Sequence, residues 1–203
     1  MLQLLYPITD TELSRLSHLE QVRQLASGGA TLVQLRDKYA SPREFFESAR
    51  EAVNLARSLG VRIIINDRVD IAIAAGADGV HLGQDDFPPE KARELLGPNK
   101  IIGYSTHTLK QALEADLLPV DYIAIGPVFS TSTKENPDPV IGLEGVRQVK
   151  DGISKPLVAI GGITLSNAQS VIRAGADSLA VISDLYLNGV IRERVQNFLR
   201  NLD

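Results

Sequence analysis

Residues 129–142, FSTSTKENPDPVIG, set four small hydroxyl side chains, Ser130, Thr131, Ser132 and Thr133, in front of one ammonium, Lys134. Such donors suit the oxygens of a phosphate group. Other polar clusters recur along the chain, each directly after a short apolar run. They are Gln34, Arg36 and Lys38; Asn66, Asp67 and Arg68; Gln84, Asp85 and Asp86; Ser105, Thr106 and His107; residues 161–164 (GGIT); and Ser183 with Asp184. Gln34, Arg36, Lys38 and Lys134 offer cations and donors for phosphate oxygens. Asp67 and Asp86 follow neighbouring apolar runs, so both carboxylates reach one hard cation. Mg2+ is typically held by one or two carboxylates, with substrate phosphates and water completing its shell. Gly161 and Gly162 before a helix, with Ser183 one strand later, offer backbone N–H groups and a hydroxyl to a second anion. Two phosphorylated substrates explain both sets.

Each residue alone also has a plain structural reading. Asp67 after Asn66 is equally a helix cap, and so are Asp85 and Asp86 before FPPEKA. A glycine pair between strand and helix is common, and Lys134 beside Glu135 reads as a solvated loop charge. His18 reads as a surface residue and His81 as a packing residue within a strand. His107 reads either as a catalytic group or as a donor that fixes its surroundings. Only joint placement decides for function, and placement depends on the elements.

Apolar runs rich in Leu, Ile and Val fall at 4–8, 32–36, 62–65, 79–82, 101–104, 122–125, 157–160 and 179–182. Both parities are apolar, as strands of a parallel sheet covered on two faces require. Amphipathic stretches fill the gaps. Ser41, Pro42 and Glu44 form a capping box with proline at the first helical position, and Phe45, Ala49, Ala52, Val53 and Ala56 share one face. The first helix is expected to place Leu13, Leu16, Leu19 and Val22 alike, and Thr164 or Ser166 to cap the helix after residue 164. Gly28, Gly60, Gly76 and Gly175 are expected to end helices in the left-handed conformation. Eight strands alternating with eight helical stretches predict a single-domain (β/α)8 TIM barrel over residues 1–203, with an open doubly wound sheet as the alternative. No Gly-rich dinucleotide fingerprint follows the first strand. In a barrel every cluster named above falls on the rim at the C-terminal strand ends.

The bulk numbers agree with a single small enzyme domain. The chain has 203 residues, 21 Lys plus Arg against 25 Asp plus Glu, and a net charge of −4, so no nucleic-acid partner is implied. Without a basic field, an anionic ligand must be met by local charges. The absence of cysteine excludes disulfides, thiolate metal sites and a cysteine nucleophile. No apolar run approaches a membrane span and the N-terminus lacks a basic leader region, so a cytoplasmic enzyme without a membrane partner is expected. A homo-oligomer is left open.

The motifs LVQLRDK, IINDRVDIAIAAGADGVHLGQDD, IGYSTH, DYIAIGPVFSTSTK and LVAIGGI, in this order, resemble thiamine phosphate synthase from YPITD to VIS. The resemblance implies coupling of 4-amino-2-methyl-5-hydroxymethylpyrimidine diphosphate to thiazole phosphate, giving thiamine phosphate and diphosphate. It implies that Gln34, Arg36, Lys38, Asn66, Ser105 and Lys134 bind the pyrimidine diphosphate, with Arg36, Lys38, Ser105 and Lys134 catalytic. Asp67 and Asp86 would hold one Mg2+, and Thr131, Ser132, Thr133, Gly162, Ile182 and Ser183 the thiazole phosphate. It also implies a dissociative mechanism, with the proline-bearing loop as a lid. Ser130 stands where the family commonly has proline. A related thiazole tautomerase using His107, and a non-catalytic phosphate-binding regulator, are the competing readings.

Overall fold

The computed structural model describes residues 2–131, 138–187 and 190–202. Eight parallel strands form one sheet: β1 (Leu5–Pro7), β2 (Leu32–Leu35), β3 (Arg62–Asn66), β4 (Gly79–Leu82), β5 (Ile101–Thr106), β6 (Tyr122–Ile125), β7 (Leu157–Ile160) and β8 (Ser178–Val181). The hydrogen-bonded order runs from β1 through β8 and back down to β2. The last seam closes where Ile8 bridges Gln34 and Thr9 N donates to the Gln34 carbonyl at 2.9 Å. The sheet is therefore a barrel and the open-sheet alternative falls.

Around it lie α1 (Thr11–Ser14), α2 (His18–Ser27), α3 (Pro42–Ser58), α4 (Val69–Ala75), α5 (Pro89–Leu96), α6 (Leu109–Ala115), α7 (Gly142–Gly152), α8 (Ala168–Arg173) and α9 (Ile191–Leu202). The capping box of α3 is present with both reciprocal bonds. The expected first helix is instead two: Arg15 is left-handed at φ 58° and ends α1, and Ser17 caps α2. Leu13 is consequently exposed while Val22 is buried. Gly60, Gly76 and Gly175 have positive φ as expected, but after α2 that conformation falls on Gly29, with Gly28 right-handed. Neither Thr164 nor Ser166 caps α8, which begins after Asn167 without a side-chain cap.

The core has two layers. Leu5, Val33, Ile63, Ile65, Val80, Ile102 and Leu179 point outward to the helices, among many others. A smaller lumen cluster holds Tyr6, Ile8, Leu32, Ile64, Tyr122, Ala124, Val158 and Ala180. Strands buried on both faces explain why the apolar runs showed no alternation. At the N-terminal rim three aspartates repeat one device. Asp78, Asp121 and Asp177 each precede an even-numbered strand and accept from the backbone N–H of Ile63, Ile102 and Leu157 on the strand before, each at 2.7 Å. Register is thus pinned at the rim opposite the polar clusters.

Candidate functional site

A cavity of about 550 Å3 opens at the C-terminal rim, and all eight strands or the loops after them contribute to its wall. Its size lies within the range of small-molecule sites. Gln34, Arg36, Lys38, Asn66, Asp67, Asp86, Ser105, Thr131, Gly162, Ile182 and Ser183 all line it. Ser132, Thr133, Lys134 and the first part of the expected lid lie outside the described residues. The barrel order sets β3 opposite β7. One arc therefore carries Arg36, Lys38 and the acidic pair, and the facing arc carries Gly162 and Ser183.

Within the acidic pair, Asp67 carries a strongly perturbed carboxyl. Asp67 stands in the left-handed region at φ 63°, with its backbone N–H held by the His81 carbonyl at 2.8 Å. It does not cap α4, whose first residues have no side-chain cap. Its carboxyl hydrogen-bonds that of Asp86, and its pKa is pushed up to about 7 by burial and by the Asp86 charge, with Arg36 opposing. Asp86 is in turn aimed by the Gly83 N–H, which donates to its Oδ2 at 2.6 Å. It does not cap α5, which is preceded by Pro88. Both cap readings fail, because the carboxylates turn toward one another and the cavity. Two carboxylates in hydrogen-bond contact share a proton or take up a cation.

The basic arm is anchored from behind. The Arg36 N–H donates to Thr9 Oγ1 at 3.2 Å, and its guanidinium lies 3.4 Å from Asp10. His18, expected at the surface, is 1% exposed. Its Nδ1 pairs with Thr9 Oγ1 at 2.9 Å, and its Nε2 sits 3.4 Å from Asp37. The helix that carries it begins just after Ser17 and lays its first turn on the loop after β2, where a histidine fills the gap. Burial lowers its pKa, with Asp37 and Asp10 opposing.

On the facing arc the loop after β6 extends that strand along β7. Val128 N donates to the Ile160 carbonyl at 2.9 Å, and Phe129 N to that of Gly161 at 3.0 Å. A side chain on Gly161 would meet Pro127 Cβ at 2.5 Å, and one on Gly162 the Ser130 carbonyl at 2.5 Å. Both glycines also have positive φ, so here the pair is required rather than incidental. This contact delivers Thr131 to the cavity. Asp184, grouped with Ser183 in sequence, turns away: it is buried in a bidentate pair with Arg194 and accepts from Leu165 N.

Two histidines remain. His107 donates from Nδ1 to the Gly126 carbonyl at 2.7 Å, with Asp138 3.4 Å away, which leaves Nε2 as an acceptor. His81 is a buried packing residue, as its strand position suggests, and it also lines the cavity floor. Its rings of contact are polar: Tyr122 Oη at Nδ1, 2.9 Å, and Ser105 Oγ at Nε2, 2.8 Å. Burial pushes its pKa down to about 4. Tyr6, which also lines the cavity, carried no sequence signal beyond its strand, since a tyrosine in a barrel strand reads as core.

The profile of the thiamine monophosphate synthase family matches residues 5–185. Thiamine-phosphate synthase of Koribacter versatilis is 50% identical over 207 residues, covering 98% of this chain and 95% of its own length. That of Chloroflexus aurantiacus is 50% identical over 180 residues, covering 88% and 83%. The solved structure of thiamine phosphate pyrophosphorylase from Pyrococcus furiosus superposes with a TM-score of 0.88 at 40% identity, over 98% of this chain and 94% of that one. Profile, relatives and fold agree over nearly the whole length, and the chain belongs to the thiamine monophosphate synthase family.

Proposed function

We propose that this protein is a thiamine phosphate synthase, a transferase that joins 4-amino-2-methyl-5-hydroxymethylpyrimidine diphosphate to thiazole phosphate. The observation that carries this reading is one cavity with two facing polar arcs, the first of them holding Arg36 and Lys38 beside the Asp67–Asp86 pair. Arg36 and Lys38 bind the diphosphate, Gln34, Asn66 and Ser105 orient the pyrimidine diphosphate, and Lys134 completes the cationic set. Thr131, Ser132, Thr133, Gly162, Ile182 and Ser183 take the thiazole phosphate.

Asp67 and Asp86 fit a Mg2+ ion. They are two oxygen donors brought together, with Arg36 and an Asn66 hydrogen bond offsetting part of the repulsion on Asp67. Among the described residues no cluster of three or more His, Cys, Asp or Glu side chains could hold a metal. The remaining ligands would come from substrate phosphate and water, the usual arrangement for this ion. When bound, Mg2+ supplies Lewis-acid neutralisation of the diphosphate charge.

In the reaction the bond between the pyrimidine methylene carbon and the diphosphate oxygen breaks, and its electron pair leaves with diphosphate. The thiazole nitrogen lone pair then forms the new bond to that carbon. Negative charge grows on the departing group, so Arg36 and Lys38, which line the cavity, and Lys134 stabilise the transition state more than the ground state. The thiazole nitrogen carries no proton, so attack needs no base. His107, with Nδ1 committed to a backbone carbonyl, serves to fix the rim.

The test is direct. Purified protein with both phosphorylated halves and Mg2+ should yield thiamine phosphate, read by fluorescence after oxidation to thiochrome. No product with either Mg2+ or Mn2+ would sink the reading.

A further inference from the structure

Five polar side chains cross the barrel lumen beneath the cavity. Gln34 Nε2 donates to Tyr6 Oη at 3.1 Å. Tyr6 Oη lies 2.9 Å from Tyr122 Oη, Tyr122 Oη 2.9 Å from His81 Nδ1, and His81 Nε2 2.8 Å from Ser105 Oγ. The residues come from β2, β1, β6, β4 and β5, and Tyr6 and Tyr122 are fully buried.

We propose that His81 is a positioning residue: this chain runs one way, from Gln34 to Ser105, and makes Ser105 a hydrogen-bond donor to the ligand. The direction follows from counting hydrogens. An amide nitrogen only donates, so Tyr6 accepts from Gln34. The Tyr6 hydrogen then goes to Tyr122, and that of Tyr122 to His81 Nδ1. A neutral imidazole accepting at Nδ1 carries its hydrogen at Nε2, and gives it to Ser105. Ser105 Oγ is thereby an acceptor within the protein, and its own hydrogen is turned to the cavity. Run backwards, Tyr6 would accept twice and keep a buried hydrogen without an acceptor, a loss of about 1–3 kcal/mol.

A second observation supports the link. A side chain on Gly103 would clash with the Tyr122 ring and come within 2.5 Å of His81 Nδ1. Strand β5 is bare where the Tyr122–His81 bond passes over it. Ser105 is also held from its backbone, where Gln84 Nε2 donates to its carbonyl at 2.5 Å. The donor thus points at an acceptor atom of the ligand, a diphosphate oxygen or a pyrimidine ring nitrogen, and not at an exocyclic amine.

This rests on the reading that Ser105 touches the pyrimidine diphosphate, so the test begins without substrate. Two-bond 1H–15N correlation spectra of the ligand-free full chain at pH 7.5 report which ring nitrogen of each histidine is protonated. Spectra of His18→Gln and His107→Gln assign the His81 signals by elimination. The expected result is a bare Nδ1 and a protonated Nε2. An Nδ1–H tautomer, an even mixture or an imidazolium would overturn the proposal. The second arm is a kinetic cycle. Tyr122→Phe should lower kcat/KM roughly tenfold, the equivalent of one ordinary hydrogen bond, and should add almost nothing in a Ser105→Ala background. Additive losses would mean that the network acts only through general stability, and would also overturn it. Absence of any synthase activity would sink the function while the spectrum still decides the tautomer.

Discussion

Both rims of the barrel carry aspartates at strand ends, and the fold treats them in opposite ways. At the N-terminal rim Asp78, Asp121 and Asp177 each take a backbone N–H of the neighbouring strand, and Asp121 and Asp177 also pair with Arg93 and Lys150. At the C-terminal rim Asp67 and Asp86 face each other, and burial with the Asp86 charge pushes the Asp67 pKa up to about 7. One set lowers the energy of the folded chain; the other raises it, a cost that the proposed cation and diphosphate would relieve. The same residue type therefore does structural work at one end and, on the proposed function, chemical work at the other.

The largest effect that would break this contrast is expected from Asp86→Asn. Activity in the thiochrome assay should fall at least about a hundredfold, the scale seen when a group stabilising transition-state charge is lost. In metal-free buffer the melting temperature should stay level or rise, since the repulsion on Asp67 disappears. A clear fall in melting temperature would show that the pair stabilises the fold, and the contrast would fail.

The pH dependence of stability sharpens it. Asp67 binds a proton in the folded state up to about pH 7 but only to about 3.8 when unfolded, so its contribution is full below 3.8 and is lost as pH rises to 7. His81 runs the other way. Its folded pKa of about 4 lies below the ordinary 6.5, so its contribution is full above 6.5 and is lost as pH falls toward 4, by about 3 kcal/mol. In the metal-free wild type the two trends oppose each other. Urea melts between pH 4 and 7 should show a steeper acid loss in Asp86→Asn, where losing the Asp86 charge weakens the Asp67 trend while burial keeps part of it, than in the wild type.

At the opposite rim Asp121→Ala should leave activity within a few fold and cost about 1–3 kcal/mol in urea melts, because the buried Ile102 N–H loses its acceptor. Activity lost in proportion to the Asp86 variant would refute the division of labour between the rims.

How much of this could be read from the chain depended on what carried the signal. The eight strands were legible because apolar runs on both parities have few other uses, and the rim clusters were legible because they recur after each run. Asp67 and Asp86 were ambiguous singly, since a carboxylate after a strand also caps helices; only the turn of each side chain into the cavity resolves them. The N-terminal aspartates carried no separate signal, because their partners are backbone N–H groups on a different strand. The lumen tyrosines look like core in any strand, and their hydroxyl chain exists only once five strands have closed. His18 was misread outright. Its sequence neighbours Ser17 and Glu20 are polar, but the break at Arg15 rotates the helix start, and a residue at the surface of one long helix becomes the plug of a short one.

That misreading leads to the smallest effect. His18 has one good bond, to Thr9, and an Nε2 with no hydrogen-bond partner, 3.4 Å from Asp37. Asp37 already accepts from Tyr39 N and Ala40 N, which form the turn after β2. His18 therefore adds packing and one bond behind Arg36 and does not hold the turn by itself. In His18→Gln the amide can still reach Thr9, so stability should drop by only about 1 kcal/mol. Through Thr9 and the Arg36 N–H the change reaches the arm proposed to bind diphosphate, so KM for the pyrimidine diphosphate should rise about twofold to threefold, with kcat held. The loss of binding without loss of turnover is what a residue acting through the placement of a ligand-binding arginine produces. A fall in kcat matching that of Asp86→Asn would instead put His18 among the groups acting on the transition state, a role its position in the outer layer, behind β2, does not allow.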